Sequence, residues 1–187
     1  MLAEIQVPIE SQATEKDGQL MQELRSGNRD ALSLLYKTHA AALYEYGYHL
    51  VHEKSLVEDA IHDVFVNLWN FRESLATVRS FRAYVFTSLR NTILRRLDRD
   101  KRSTHRDAEW LVVSNGTDVD SEANVISRVR QAINQLPDRQ REVIFLRFYQ
   151  GLSFHDIATM LEIDQQSAYN LASRAYSGLK QQLATVA

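Results

Sequence analysis

Cysteine is absent from the 187 residues, which excludes disulfide staples and thiolate metal sites and suits a reducing compartment. With only 2 prolines and 6 glycines, the chain lacks the turn density of a β-sandwich or barrel. Alternating β-branched runs are scarce too. No apolar stretch approaches the roughly 20 residues of a membrane-crossing helix. The opening residues, MLAEIQVPIESQATEKD, have neither a basic nor an apolar signal region. The expectation is a cytoplasmic protein with no membrane insertion. The 44% of residues that are hydrophobic can bury the core of one large domain or two small ones. The fold is expected to be all-α.

The formal net charge of −2 conceals an uneven distribution. Residues 20–106 carry 14 basic and 10 acidic side chains, with Arg90, Arg95, Arg96, Arg99, Lys101, Arg102 and Arg106 supplying most of the excess. From residue 124 onward the balance is 7 to 5, again basic. Acidic residues gather in the N-terminal tail and in residues 107–122. Two mildly basic bodies joined by an acidic strip suit two nucleic-acid contacts and a connector that stays off the phosphates.

In chain order, residues 1–15 read as a tail, and Gln19 to Arg25 as a short helix closed by Ser26-Gly27. Asn28 caps a long helix with Ala31, Leu34, Leu35, Thr38, Ala42, Leu43 and Tyr46 at helical spacing. The next helix places Val57, Ile61, Val64, Phe65 and Leu68 on an apolar stripe. Glu58, Asp59, His62, Asp63 and Asn67 lie away from its centre. A loop over residues 71–80 leads to FRAYVFTSLRNTILRRLDRDKR, apolar and aromatic first, then strongly basic. There Phe71, Phe81, Tyr84 and Phe86 interleave with Arg72, Arg79, Arg82 and Arg90, with Phe81 and Val85 expected in the core. Residues 103–123 break the periodicity and read as a flexible acidic linker. Ile126, Val129, Ile133 and Leu136 then restart an amphipathic helix.

Residues 136–183 read as three helices. Pro137-Asp138 starts the first and Gly151 ends it. Ser153 with Asp156 caps a short helix to Leu161; Glu162-Ile163 turns, and Asp164 caps a longer last helix. This is helix-turn-helix spacing. At about 100° per residue, Ala168, Leu171, Ala172, Ala175 and Leu179 share one face, expected to pack on Val143, Leu146, Ile157 and Leu161. Gln166, Asn170, Ser173 and Ser177 lie opposite, flanked by Tyr169, Arg174 and Lys180. Such a face suits either solvent or base edges, since glutamine and asparagine can bond adenine bidentately in the major groove.

No metal and no cofactor are expected. His49 with His52 and Asp59 with His62 have helical ligand spacing, but no Glu-x-x-His motif completes a dinuclear site. Phosphate-loop, nucleophile-elbow and H-E-x-x-H motifs are absent, so no catalytic role is assigned.

The ordered series SGNRDALSLLYKTH, VEDAIHDVFVNLW, SFRAYVFTSLRNTILRRLDR and LPDRQREVIFLRFYQGLSFHDIATML resembles a bacterial sigma factor. More narrowly, residues 20–185 resemble the small two-domain extracytoplasmic-function group. The resemblance implies a tail (residues 1–18), a helical domain (19–102) for polymerase binding and −10 recognition with melting, a linker (103–123), and a helix-turn-helix domain (124–187) for −35 recognition. It implies that Asp59, Asp63, Asn67, Leu68 and Trp69 dock on the β′ clamp helices of core RNA polymerase. Phe71, Arg79, Arg82, Arg90, Asn91, Arg95, Arg96 and Arg99 would meet the single-stranded −10 element. Arg139, Arg141, Ser153, Gln165, Gln166, Ser167, Tyr169, Asn170, Ser173 and Arg174 would meet duplex −35 DNA. The β flap of polymerase, promoter DNA and an inhibitory anti-sigma protein are the further implied partners.

This chain departs from the family pattern at Glu162, where a glycine is usual, and at Tyr169 and Leu171, where basic residues are usual. A stand-alone duplex-binding regulator and a non-DNA interaction module are the alternative classes. The aromatic and arginine-rich segment over residues 71–99 disfavours the regulator, because a duplex reader has no use for it.

Overall fold

Asn28 opens the longest helix by accepting a hydrogen bond from the Asp30 amide at 2.9 Å, the capping chemistry its residue type suggests. In the computed structural model, which describes residues 10–100, 128–129 and 131–184, the chain divides into two compact units, Met1–Arg106 and Asp107–Ala187. All regular structure among the described residues is helical. The expected linker over 103–123 lies outside them.

The first unit comprises α1 (Glu10–Arg25), α2 (Arg29–Val51), α3 (Lys54–Asn70), a 3₁₀ turn (Arg72–Thr77) and α4 (Phe81–Asp100). Helix α1 begins at Glu10 rather than near Gln19, so residues 10–18 of the expected tail are helical. Leu20 and Leu24 are buried, and Asp17 is only 7% exposed. The Asp17 carboxylate lies 3.0 Å from Nε2 of the buried His39 on α2. That polar partner compensates the burial of both groups. The His39 ring in turn packs 5.1 Å from that of Phe81.

Helix α2 is rotated slightly from the expected register. Ala31, Leu35, Leu43 and Tyr46 are buried, while Leu34 remains 46% exposed and Thr38 faces solvent. His39, Gly47 and His49 take the inner positions instead. Gly47 explains how close the helices come: a Cβ there would lie 2.8 Å from Val57 Cγ1 of α3 and 3.2 Å from Ile93 Cδ1 of α4. The stripe expected on α3 (Val57, Ile61, Val64, Phe65, Leu68) is buried throughout. On α4, Phe81 and Val85 join Phe86, Leu89 and Ile93 in the core.

In the second unit, helical residues 131–134 precede α5 (Asp138–Ile144), which runs directly into a π-helical turn (Phe145–Tyr149). There the Gln150 amide donates to the Phe145 carbonyl at 3.1 Å and the Leu152 amide to that of Leu146 at 2.9 Å. Next come α6 (Phe154–Leu161) and α7 (Gln165–Ala184). Val143, Leu146, Ile157, Leu161, Ala168, Ala172 and Ala175 are buried as expected. Leu171 and Leu179 are only half-buried.

Glu162 occupies the turn between α6 and α7 at φ 55° and ψ 45°. A side chain is strained in this left-handed conformation, whereas glycine is not. Glu162→Gly is expected to stabilise the unit by about 1 kcal/mol, read as a higher denaturation midpoint at unchanged m-value.

Candidate nucleic-acid interface

The C-terminal unit builds its open face from a well-capped helix. Ser153 caps α6: its Oγ accepts from the Asp156 amide at 3.1 Å and donates to the Asp156 carboxylate at 2.7 Å. Asp164 caps α7, accepting from the Ser167 amide at 2.7 Å and from the Ser167 hydroxyl at 2.6 Å. The hydroxyls of Ser153 and Ser167 are therefore engaged in forming the motif. Gln165, Gln166, Asn170 and Arg174 are exposed, and Ser173 is half-buried. Gln166 Nε2 donates to Asn170 Oδ1 at 3.1 Å, which aligns the two amides one turn apart.

The hydrogen bond from the Ser167 hydroxyl, then that from its amide, hold the Asp164 carboxyl below its ordinary value of 3.8. A carboxyl lowered on folding contributes stability above the unfolded pKa and loses it as pH falls through the folded one. The melting temperature of the wild type should therefore exceed that of Asp164→Ala at neutral pH. The gap should close as pH drops below about 4.

Two of the arginines expected to meet duplex DNA part company here. Arg139 is exposed, with Glu142 at 4.0 Å as its neighbour. Arg141 is buried: its guanidinium donates to the Leu136 carbonyl at 2.9 Å and to Asp138 Oδ1 at 2.7 Å. That geometry ties the start of α5 to the preceding turn and leaves Arg141 no surface for a phosphate.

In the first unit, the expected single-strand residues divide by helix face. Phe71, at the C-terminus of α3, is 62% exposed. Arg79, Arg95 and Arg99 are exposed, while Arg82, Arg90 and Asn91 are half-buried. Arg95 lies along α4, donating through Nε to the Asn91 carbonyl at 3.1 Å. Arg96 points elsewhere. It continues the inner line of Val85, Leu89 and Ile93 and reaches across to α3, bonding the Asp63 carboxylate and approaching Asp59 at 3.5 Å. The Asp63 hydrogen bond is the main cause holding its guanidinium above the ordinary pKa. Arg96 thus bridges α3 and α4 instead of standing free for phosphate. A double-mutant cycle on Arg96→Ala and Asp63→Ala should give a coupling near 1 kcal/mol, modest because both side chains are partly solvated.

The expected polymerase-docking residues are likewise sorted. Asp59 and Asn67 are exposed, and Asp63 is half-buried. Leu68 is fully buried, so it belongs to the core and offers no contact to a partner. Trp69 is half-buried between cations, with the Arg72 and Arg29 guanidinium carbons 4.8 and 5.6 Å from its ring centroid. Val66 on the same helix is apolar yet 42% exposed, beside Asn67. It lies on the polar side of the α3 stripe. Among the described residues no group of three metal-ligating side chains occurs, and no helix is long and apolar enough to cross a membrane.

Two units whose described residues form only helices, one of them a helix-turn-helix with an open amide-bearing face, have the architecture of a DNA-binding protein. Comparison with known proteins narrows the class. Sigma-70 region 2 matches residues 35–103, and Sigma-70, region 4 matches residues 126–177. The chain is 29% identical over 136 residues to the extracytoplasmic-function RNA polymerase sigma factor SigL of Mycobacterium tuberculosis, covering 69% of this chain and 75% of SigL. It is 27% identical over 161 residues to the RNA polymerase sigma-H factor of Pseudomonas aeruginosa, covering 79% and 83%. In fold it is similar to the sigma factor RpoE of Bartonella quintana, solved in complex with the anti-sigma factor NepR. There the TM-score is 0.59 at 21% identity, covering 81% of this chain and 95% of RpoE. The chain belongs to the sigma-70 family, in its extracytoplasmic-function group, and is an RNA polymerase sigma factor that directs promoter-specific transcription.

Proposed function

We propose a division of labour in which the N-terminal unit docks on the β′ clamp helices and captures the melted −10 element, while the C-terminal unit reads the −35 element as duplex and contacts the β flap. The open face of α7 carries this reading. Gln165, Gln166, Asn170 and Arg174 are exposed at its first turns, and the opposite side is closed by Ala168, Ala172 and Ala175. A recognition helix presents its N-terminal residues to base edges in this way. Exposed Arg139 suits a flanking phosphate, a contact that positions without specifying sequence.

In the N-terminal unit, exposed Phe71 supplies a π-face, and Arg79, Arg95 and Arg99, with Arg82, Arg90 and Asn91, supply cations and polar groups for a single strand. Asp59, Asn67 and Trp69 are the docking candidates, with Asp63 oriented by Arg96. The protein acts in the cytoplasm and is not itself an enzyme; RNA synthesis belongs to the polymerase. By analogy with the RpoE–NepR complex, an inhibitory anti-sigma partner regulates it.

Run-off transcription with cognate core polymerase on a library of promoter fragments tests the proposal. Transcripts that depend on this chain and share two spaced upstream elements are expected. Transcripts sharing a −10 element alone would remove the role given to α7.

A further inference from the structure

Tyr169 stands where it can add a third kind of readout to the amides and the arginine of α7. At about 100° per residue, Gln166, Tyr169, Asn170 and Ser173 fall within one sector of the helix. Tyr169 keeps 37% exposure, yet its ring is not loose. It meets Phe154 edge-on, centroids 5.6 Å apart and planes at 68°. The Arg147 guanidinium covers Phe154 in turn, 5.3 Å from its centroid, and donates to the Leu152 carbonyl at 3.0 Å. A stack anchored in the π-helical turn and the first residue of α6 therefore sets the direction of the Tyr169 ring. Little side-chain freedom is left to lose on binding.

The face of the Tyr169 ring offers neither a bidentate donor pair nor a full charge, and its hydroxyl is a single donor and acceptor that Tyr169→Phe removes. The base-edge feature that matches the ring face is the apolar one, the C5-methyl group that thymine projects into the major groove. We propose that Tyr169 is a specificity-determining residue that covers the C5-methyl of one thymine in the −35 element, with Phe154 and Arg147 as its positioning residues. This inference rests on the −35 reading of α7.

The test is competition binding of promoter duplexes by holoenzyme, assembled from the full chain and cognate core polymerase. Each −35 thymine is replaced in turn by deoxyuridine, which removes the methyl group and leaves pairing intact. Wild type and Tyr169→Phe should lose about fourfold in affinity at one position, the effect of one buried methyl group. Tyr169→Ala and Tyr169→Gln should show no loss at that position, and Phe154→Leu a reduced one.

Indifference of the wild type to every uracil overturns the proposal, as does a uracil penalty that persists in both Tyr169→Ala and Tyr169→Gln. A −35 element with no A·T pair overturns it as well. A fully scrambled −35 duplex separates the two levels. If scrambling weakens binding but uracil does not, Tyr169 alone has been misassigned. If scrambling has no effect, the −35 reading itself fails.

Discussion

Arg141→Ala should cost the C-terminal unit about 2–3 kcal/mol of stability, the range for a charge-assisted bond whose loss leaves a buried acceptor unpaired. The guanidinium spans the Leu136 carbonyl and Asp138 at 2.9 and 2.7 Å, and its removal uncouples α5 from the turn that positions it. In a unit of this size each kcal/mol lowers the melting temperature by roughly 4–8 °C. Arg139→Ala, two residues earlier on the exposed side, should change stability by less than about 0.5 kcal/mol. The pair discriminates sharply. A phosphate role for Arg141 would leave the melting temperature untouched and weaken binding to all promoters equally.

Asn170→Ala should remove about 1–3 kcal/mol of discrimination at one −35 position, the worth of a bidentate amide–base contact. Binding to promoters already mismatched at that position should barely change. Gln166→Ala should act in the same way at a neighbouring position. Because the two amides share a 3.1 Å hydrogen bond, the double variant should depart from additivity. The measurement is holoenzyme affinity for a set of single-base −35 variants. Equal losses on every variant would mean that the amides position the helix and do not read sequence.

Much of this arrangement is written in residue spacing, which holds throughout α3 but places Leu34 and Thr38 of α2 inside when they are exposed, and Leu171 and Leu179 of α7 inside when they are half-buried. The α3 stripe and the caps at Asn28, Ser153 and Asp164 are local, each set by residues within one turn. Leu68 shows the cost of relaxing the rule. It lies four residues after Val64 and seven after Ile61, both buried, so periodicity alone assigns it to the core. Arg96 follows Leu89 by seven residues, and the same reasoning turns it inward toward Asp63.

Other features have no local signal. The Asp17–His39 pair joins residues 22 apart, and only tertiary packing reveals that an acidic, glutamine-rich segment is docked helix. The burial of Arg141 depends on a carbonyl in a turn outside its own helix. The π-helical turn is hidden in Phe145–Tyr149, whose residue types suit an ordinary helix equally well. What was legible on α7 was its polar face. What was not legible was the internal hydrogen bonding of Ser167 and the stack that orients Tyr169.

The division of labour between the units is tested most directly by site-specific photocrosslinking in the promoter-bound holoenzyme. A photoreactive phenylalanine analogue is placed at Phe71 in one preparation and at Asn170 in another. Position 71 should crosslink to the melted −10 element, and position 170 to the −35 duplex. Crosslinks from position 170 to polymerase alone, or from position 71 to the −35 region, would contradict the account.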